Sequence, residues 1–536
     1  MAITSRSAPM GVAARIWFVE LAMATAFAAL AATVIEPNIF SGSPDLHRSV
    51  PAADSGPLVP PVIEASSSPL PTPEPGHQYD VVIAGGRVMD PESEFDRAAN
   101  VGIDDGQITA ITDKPLQGKK VIDARGKVVA PGFIDIESYD PNPYGIWYKV
   151  GDGVTTNLGM HGTNGNAEQW YSQWEGGVPT HFGGAFDGNW ARQLPDGVAL
   201  GVGDEATPAQ IDVLVDMAEE ALQGGFIGVE FSPEYAPGIT YEEMKAVSEV
   251  AARYNVPVFI HGRYSDDVEP GTNFDTLEEV IRLARETGAA VHLLHINSTG
   301  GTFTMPESLD MLEQARADGL EITTDTYPYD FWATYLESER FAPGWQERFH
   351  IDYDDLVVPG EGGERLTEAT FEAYRNDSIP TLTAAYAIPE EDVRNALRSP
   401  FVMIGSDAIL EEGDNNHPRA AGTFARVLGK YVREEHVISL MDALSKMTIQ
   451  PATLLEEQAP ALRKKGRLQI GADADITVFD PATVRDKATV TDPSRYSEGI
   501  EYVLVMGEVV RYPNGFNRSK FPGQPIMSDF SNLESD

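Results

Sequence analysis

The rhythm of apolar and polar positions along this chain changes twice. From Tyr79 it runs in short β segments, YDVVIAGGRVMD, ANVGIDDGQITAI and KKVIDARGKVVA, and a similar texture returns late in KKGRLQIGADADITVFD and GIEYVLVMGEVV. Between them, short apolar runs alternate with amphipathic stretches such as PAQIDVLVDMAEEALQ, TYEEMKAVSEVAARY and FDTLEEVIRLARET. That alternation predicts a parallel α/β arrangement. Eight strands are expected, at 128–138, 154–160, 181–187, 226–231, 256–261, 290–296, 321–327 and 401–407. Eight favour a closed (β/α)8 barrel over an open sheet. The expected architecture is therefore α/β: a TIM-like barrel over 128–465, interrupted by an insertion at about 330–400. A small β-sandwich would be built from both ends, 79–127 and 466–515, with a C-terminal tail at 516–536.

The N-terminus has another texture. Arg6 and Arg15 precede the apolar run IWFVELAMATAFAALAATVI (16–35), broken only by Glu20, and small residues follow. A basic start, apolar core and small residues predict an export signal, or an uncleaved membrane anchor given the length of the run. Residues 36–78, with PLVPPVIEASSSPLPTPEPG, read as an extended Pro/Ser-rich linker. The expected location is periplasmic or secreted. With no cysteine, disulfides, thiolate nucleophiles, zinc–sulfur sites and lipoprotein attachment are excluded. A net charge of −43 repels phosphates and anionic lipid, so nucleic acid is not an expected partner, and a membrane only through the N-terminal segment.

Barrels of this type place their chemistry at the C-terminal ends of the strands. There the chain sets His161 (GVTTNLGMH), Glu230 (GVEF), His261 (VPVFIH), His295 (VHLLH) and Asp407 (MIGSD). His292, three residues before His295, would face the opposite side of the same strand and pack there. His161, His261 and His295 together would make a three-nitrogen zinc site with an open fourth position. Arg263, two residues past His261, is placed to face the barrel mouth and with Arg419 could clamp an anionic group. The same arginines could instead neutralise carboxylates on the rim. The aromatic segment YPYDFWATYLESERFAPGW could line an acyl pocket or form the core of the insertion.

The stretches PGFID, GVTT, VFIHGR, DTYPY, MIGSD, HPRAAGTFARVLGKYVRE, ALSKMTIQPA and GADADITVFDP are specific. Through them, from about Tyr79 to Val510, the chain resembles the N-acyl-D-amino-acid deacylases (D-aminoacylases) of the metal-dependent amidohydrolase superfamily. The resemblance implies a metal-binding barrel with a small β-sandwich. It makes His261 and His295 metal ligands and Asp407 the general base, and it sets Arg419 and Tyr327 on the substrate carboxylate. The chain departs from the pattern at four places. Glu137 and Tyr139 replace a pair of histidines after FID. His161 stands one residue from a usual cysteine ligand. Glu230 replaces a small hydroxyl residue. With Glu137 and Glu230 as oxygen donors, a rebuilt second site suited to zinc or Mn2+ is conceivable; otherwise these carboxylates would pair with Arg263 or Lys149 and bind nothing.

The expected function is hydrolysis of the C–N amide bond of an N-acyl amino acid, a small substrate bearing a carboxylate, with one or two zinc ions. The D-configuration is implied by the resemblance alone. Two alternatives stay open: a cyclic amide hydrolase of hydantoinase or dihydroorotase type, and a non-catalytic binding protein on a degenerate hydrolase scaffold.

Overall fold

The computed structural model describes residues 70–530 apart from 164, 195–197 and 361. The expected leader and most of the linker therefore lie outside the described residues. Among the described residues, no helix is long and apolar enough to cross a membrane.

Eight parallel strands form one sheet in chain order: β1 (Phe133–Asp135), β2 (Val154–Thr163), β3 (His181–Asp187), β4 (Val229–Phe231), β5 (Val258–Ile260), β6 (Val291–Leu293), β7 (Ile322–Thr326) and β8 (Val402–Ile404). Its two edges meet beyond their strand ends. The Asp407 amide donates to the Glu137 carbonyl (2.9 Å), and the Ser406 amide donates to Asp135 Oδ1 (3.0 Å). Lys149, buried beneath that seam, donates to Asp135 (2.6 Å) and Ser406 (2.5 Å). Helices return the chain between strands, and their ends are written in the sequence. Pro208–Gln223 begins with a Thr207/Gln210 capping box and proline in its first turn. Asn273–Thr287 begins with a Thr272/Asp275 box and ends on Gly288 in the left-handed conformation.

The apolar run from Val128 divides at Gly132. Val128–Pro131 pairs antiparallel with Ile476–Phe479 in a separate nine-stranded sheet, whose strands come from both ends of the described chain. Only Phe133–Asp135 enters the barrel. A side chain at position 132 would collide with Thr155, so this junction requires glycine. The insertion folds as a three-stranded antiparallel sheet, Trp332–Tyr335, Leu356–Val357 and Leu382–Ala385, with short helices. Its aromatics pack on one another, Trp332 on Phe349 (ring centroids 5.0 Å apart) and Trp345 stacked on Phe371 (5.4 Å). They form the core of the insertion. The tail plugs the other end of the barrel: Ile526, fully buried, donates its amide to the Phe182 carbonyl (2.7 Å).

Candidate active site

The strands stop short of the residues that carry chemistry. His261, His295 and Asp407 fall just past β5, β6 and β8, while His161 and Glu230 lie near the ends of β2 and β4. His295 (φ 32°) and Asp407 (φ 46°) take left-handed backbone conformations. For residues with a β-carbon this costs on the order of 1–3 kcal/mol each. The surrounding hydrogen bonds hold them there: the His295 amide donates to Asp325 Oδ1 (2.6 Å) and the Asp407 amide to the Glu137 carbonyl.

Two donor sets converge on the rim: His161, His261 and His295, and Glu137, His161, His295 and Asp407. In each set one ligand atom per residue lies within 4.8 Å of all the others. His261 Nε2 hydrogen-bonds Glu234 Oε2 (2.7 Å), which turns Nδ1 inward to 3.1 Å from His295 Nε2. His295 Nδ1 is engaged by the hydroxyls of Ser298 (3.1 Å) and Thr299 (3.3 Å), so its Nε2 faces the cluster. Burial pushes the His261 pKa down to about 4 and that of His295 well below its ordinary value. Both rings are therefore neutral at pH 7, with lone pairs available. His161, 12% exposed, stacks on Tyr139 (5.4 Å).

Glu137 is fully buried and neither carboxyl oxygen has a hydrogen-bond partner; Oε1 lies 3.4 Å from His295 Nε2. Burial, followed by the charges of Asp325 and Asp407, pushes its carboxyl well above the usual range. Lys149 does not relieve it, being committed to Asp135 and Ser406. Asp407 is held differently. Tyr139 donates to Oδ1 (3.0 Å) and Arg419 Nη2 to Oδ2 (2.6 Å). Burial raises its proton affinity, but Arg419, then His295 and His161, outweigh that and keep it ionised.

The other expected residues fall in three places. Glu230 Oε1 lies 3.9 Å from His161 Nδ1 and accepts from Ser232, outside both donor sets. Tyr327 packs its ring against the Arg419 guanidinium (3.7 Å), and its buried hydroxyl has no partner in hydrogen bonding. Arg419 gives most of its donors to protein: Asp407 Oδ2, the Asp407 carbonyl (3.0 Å) and the Ser406 carbonyl (3.3 Å), with Nη1 at 3.5 Å from the Phe331 carbonyl. Arg263 is committed elsewhere, its guanidinium lying on Glu279 (3.0 Å), so the structure shows no clamp of Arg263 with Arg419. His292 packs on Phe259 and hydrogen-bonds Thr323 (2.7 Å), away from the donor sets.

Sequence reasoning missed four residues. Glu234 anchors His261, Asp325 anchors the His295 backbone, Tyr235 packs at a tilt against the His261 ring (4.6 Å), and Arg340 reaches in from the insertion to Glu234 (3.4 Å). Glu234 and Tyr235 follow the β4 run in FSPEY, and Asp325 opens DTYPY, so their place on the rim was legible. Arg340 carried no signal, because the insertion has no barrel register from which to read it.

An "Amidohydrolase family" model matches residues 264–511. The chain is 31% identical over 499 residues to an N-acyl-D-glutamate deacylase of Alcaligenes xylosoxydans xylosoxydans, covering 85% of this chain and 98% of that one. Its structure resembles N-acyl-D-glutamate deacylase from Bordetella bronchiseptica, solved with zinc and a phosphonate mimic of the tetrahedral intermediate (TM-score 0.71, 27% identity, 84% of this chain and 100% of the other). It also resembles a D-aminoacylase with a binuclear metal centre, described as activated by one metal and attenuated by the second (TM-score 0.70, 25% identity, 84% and 100%). A D-hydantoinase lies further off, at 17% identity and a TM-score of 0.57, a likeness of fold alone.

Proposed function

Because this chain belongs to the N-acyl-D-amino-acid deacylase family of the metal-dependent amidohydrolases, we propose that it hydrolyses the amide bond of an N-acyl-D-amino acid, releasing a carboxylate and the free amino acid, with zinc as its metal. The observation that carries this reading is a pair of overlapping donor sets: His161, His261 and His295 in one, and in the other the same His161 and His295 with Asp407 and a Glu137 carboxyl that has no hydrogen-bond partner among the described residues. Three imidazole nitrogens with an open fourth position, or two nitrogens with two carboxylates, both fit zinc's tetrahedral preference. The two donor sets share His161 and His295, the latter through Nε2, which supports one ion at a time. Mn2+ would suit an oxygen-rich variant that also drew in Glu230.

When bound, such an ion supplies a Lewis acid and lowers the pKa of water at the site. The rest falls to the chain. Asp407 accepts the proton of the attacking water and passes it to the amide nitrogen as the C–N bond breaks. Its low proton affinity suits the second transfer, because the departing amine is the far stronger base. Arg419 and Tyr139 hold its two oxygens so that it cannot rotate away. The Tyr327 hydroxyl, without a hydrogen-bond partner among the described residues, and Arg419 Nη1, held by a long bond to the Phe331 carbonyl, are the donors we assign to a substrate carboxylate. An acidic amino acid is the substrate to try first, given the relative that acts on N-acyl-D-glutamate. We also propose that the chain is exported, on the strength of its basic start and the apolar run at 16–35.

The test is metal analysis of the purified chain beside His261→Ala, with hydrolysis of N-acetyl-D-glutamate and its L-enantiomer followed before and after chelation. One equivalent, diminished in the variant, with D-selective activity that chelation removes and zinc restores, is the expected result. A protein that takes up neither zinc nor Mn2+ would overturn the mechanism.

A further inference from the structure

Two of the three imidazoles owe their orientation to groups outside the donor sets. Glu234 receives His261 Nε2 at 2.7 Å, and Ser298 Oγ lies 3.1 Å from His295 Nδ1. These two partners sit on different loops, after β4 and after β6. Arg340 touches both residues. Arg340 Nη1 lies 3.4 Å from Glu234 Oε2, and Arg340 Nη2 donates to the Ser298 carbonyl at 3.1 Å. Arg340 is 2% exposed and belongs to the insertion, not to the barrel. Its guanidinium lies over the Trp332 ring (4.3 Å) and near that of Phe349 (5.1 Å), within the aromatic core of the insertion, and Arg348 donates to its carbonyl (2.8 Å).

We infer that Arg340 is a positioning residue through which the inserted subdomain sets the metal affinity of the barrel, by clamping the outer partners of His261 and His295 together. The inference rests on reading those histidines as ligands. Three features carry it. A buried carboxylate is costly unless its charge is balanced, and Arg340 is the cation beside Glu234, on the same Oε2 that receives His261. The Arg340 guanidinium, 3.4 Å away, supplies the charge that a carboxylate at Glu234 requires. An ionised Glu234 can accept only, so it fixes the proton of His261 on Nε2 and leaves Nδ1 facing the donor set. The planar fork of arginine reaches both loops at once, which a lysine ammonium on one axis cannot do. Among the described residues His161 has no such support: Tyr139 stacks on its ring, and Glu230 is 3.9 Å away.

The experiment compares zinc affinity, by competition with a chelating dye, in the full chain and in Arg340→Met, Arg340→Lys, Glu234→Gln and the double variant Arg340→Met/Glu234→Gln, with melting curves to establish folding. Arg340→Met and Glu234→Gln are each expected to weaken zinc about 10–100-fold, the range found when outer partners of ligands are removed. The double variant should bind no more weakly than the worse single one, since both act on the same imidazole. Arg340→Lys should fall between, restoring the charge beside Glu234 but not the bond to Ser298. Unchanged affinity in Arg340→Met, or losses that multiply in the double variant, would overturn the clamp. A second readout does not need the ion. In the metal-free chain with 15N-labelled histidine, His261 should be the Nε2–H tautomer, and Arg340→Met should mix tautomers. Wild type failing to take up zinc while showing that pure tautomer would overturn the hydrolase reading and the effect on metal affinity with it, leaving only the orientation of His261 by Glu234 and Arg340. Mixed tautomers in wild type would sink the clamp alone.

Discussion

The barrel holds two buried clusters of histidine and carboxylate, one at each end, built from the same residue types. At the end plugged by the C-terminal tail, His181 Nδ1 accepts from the Gln524 amide (3.1 Å), so Nε2 carries the proton and donates to Asp475 (3.1 Å). Lys465 closes the circle, bonded to Asp475 and Asp473 at 2.9 Å each. Both nitrogens of the histidine have partners, and both carboxylates are bonded to Lys465, whose Nζ also lies 3.0 Å from His181 Nε2. At the other end, both oxygens of Glu137, one of Asp325 and the Tyr327 hydroxyl have no partner, and two residues hold left-handed backbone. A closed polar network rigidifies a fold, whereas one left open with strain stored in it is organised around something it must bind. Residue type does not separate the two clusters; satisfaction of the polar atoms does.

The sharpest way to break this comparison is at Asp407. If the open cluster is the catalytic one, Asp407→Asn should lower kcat/KM for the preferred N-acyl-D-amino acid by about 10²–10⁴-fold. Metal content should be measured alongside, to separate loss of the base from loss of the ion. His181→Ala tests the other side. It strands the Gln524 amide and removes a partner of Asp475, so it should cost about 2–3 kcal/mol by chemical denaturation. Activity per folded molecule should survive, and a loss of zinc in that variant would erase the distinction drawn here.

Acid should weaken the closed cluster through its own titrations. Burial pushes His181 below its ordinary 6.5, so the unfolded chain takes up a proton that the folded one refuses, and stability falls as pH drops below about 6.5. For Asp475, burial is outweighed by His181 and Lys465, which hold its carboxyl below its ordinary 3.8. Its contribution is complete above that value and lost further into acid. Denaturation midpoints of the metal-free protein between pH 4 and 8 should show a decline to which buried His261 and His295 also contribute, and His181→Asn should make it shallower. The smallest effect is expected at Arg263. Its partly exposed pairing with Glu279 is worth about 0.2–1 kcal/mol, so Arg263→Ala should shift stability by no more than that and leave KM within about twofold. A large rise in KM would return this arginine to the substrate.

Much of this was legible in the linear chain. The eight strands fall inside or beside the expected intervals, His181–Asp187 with the bounds expected despite its glycines, because the periodic apolar runs and helix caps are local signals. The order of His161, His261, His295 and Asp407 along the chain was equally local, each standing at the end of an apolar run. The split at Gly132 was hidden because one apolar run serves two sheets, and only the space beside Thr155 divides it. Which arginine serves the site was also beyond the sequence. Arg263 looked well placed from its spacing, but its partner is Glu279, a helix position sixteen residues on. Arg340 comes from an insertion whose register no strand defines.

The sequence by itself determined the barrel, the order in which its rim residues arrive and the absence of any thiolate ligand, because strand periodicity, capping and composition act over a few residues. The tertiary structure alone decided which histidines share a site, which carboxylates are left unpaired and which cation stands behind each ligand. Those properties depend on distances between residues far apart in the chain and on which polar atoms remain without a partner once every loop is packed.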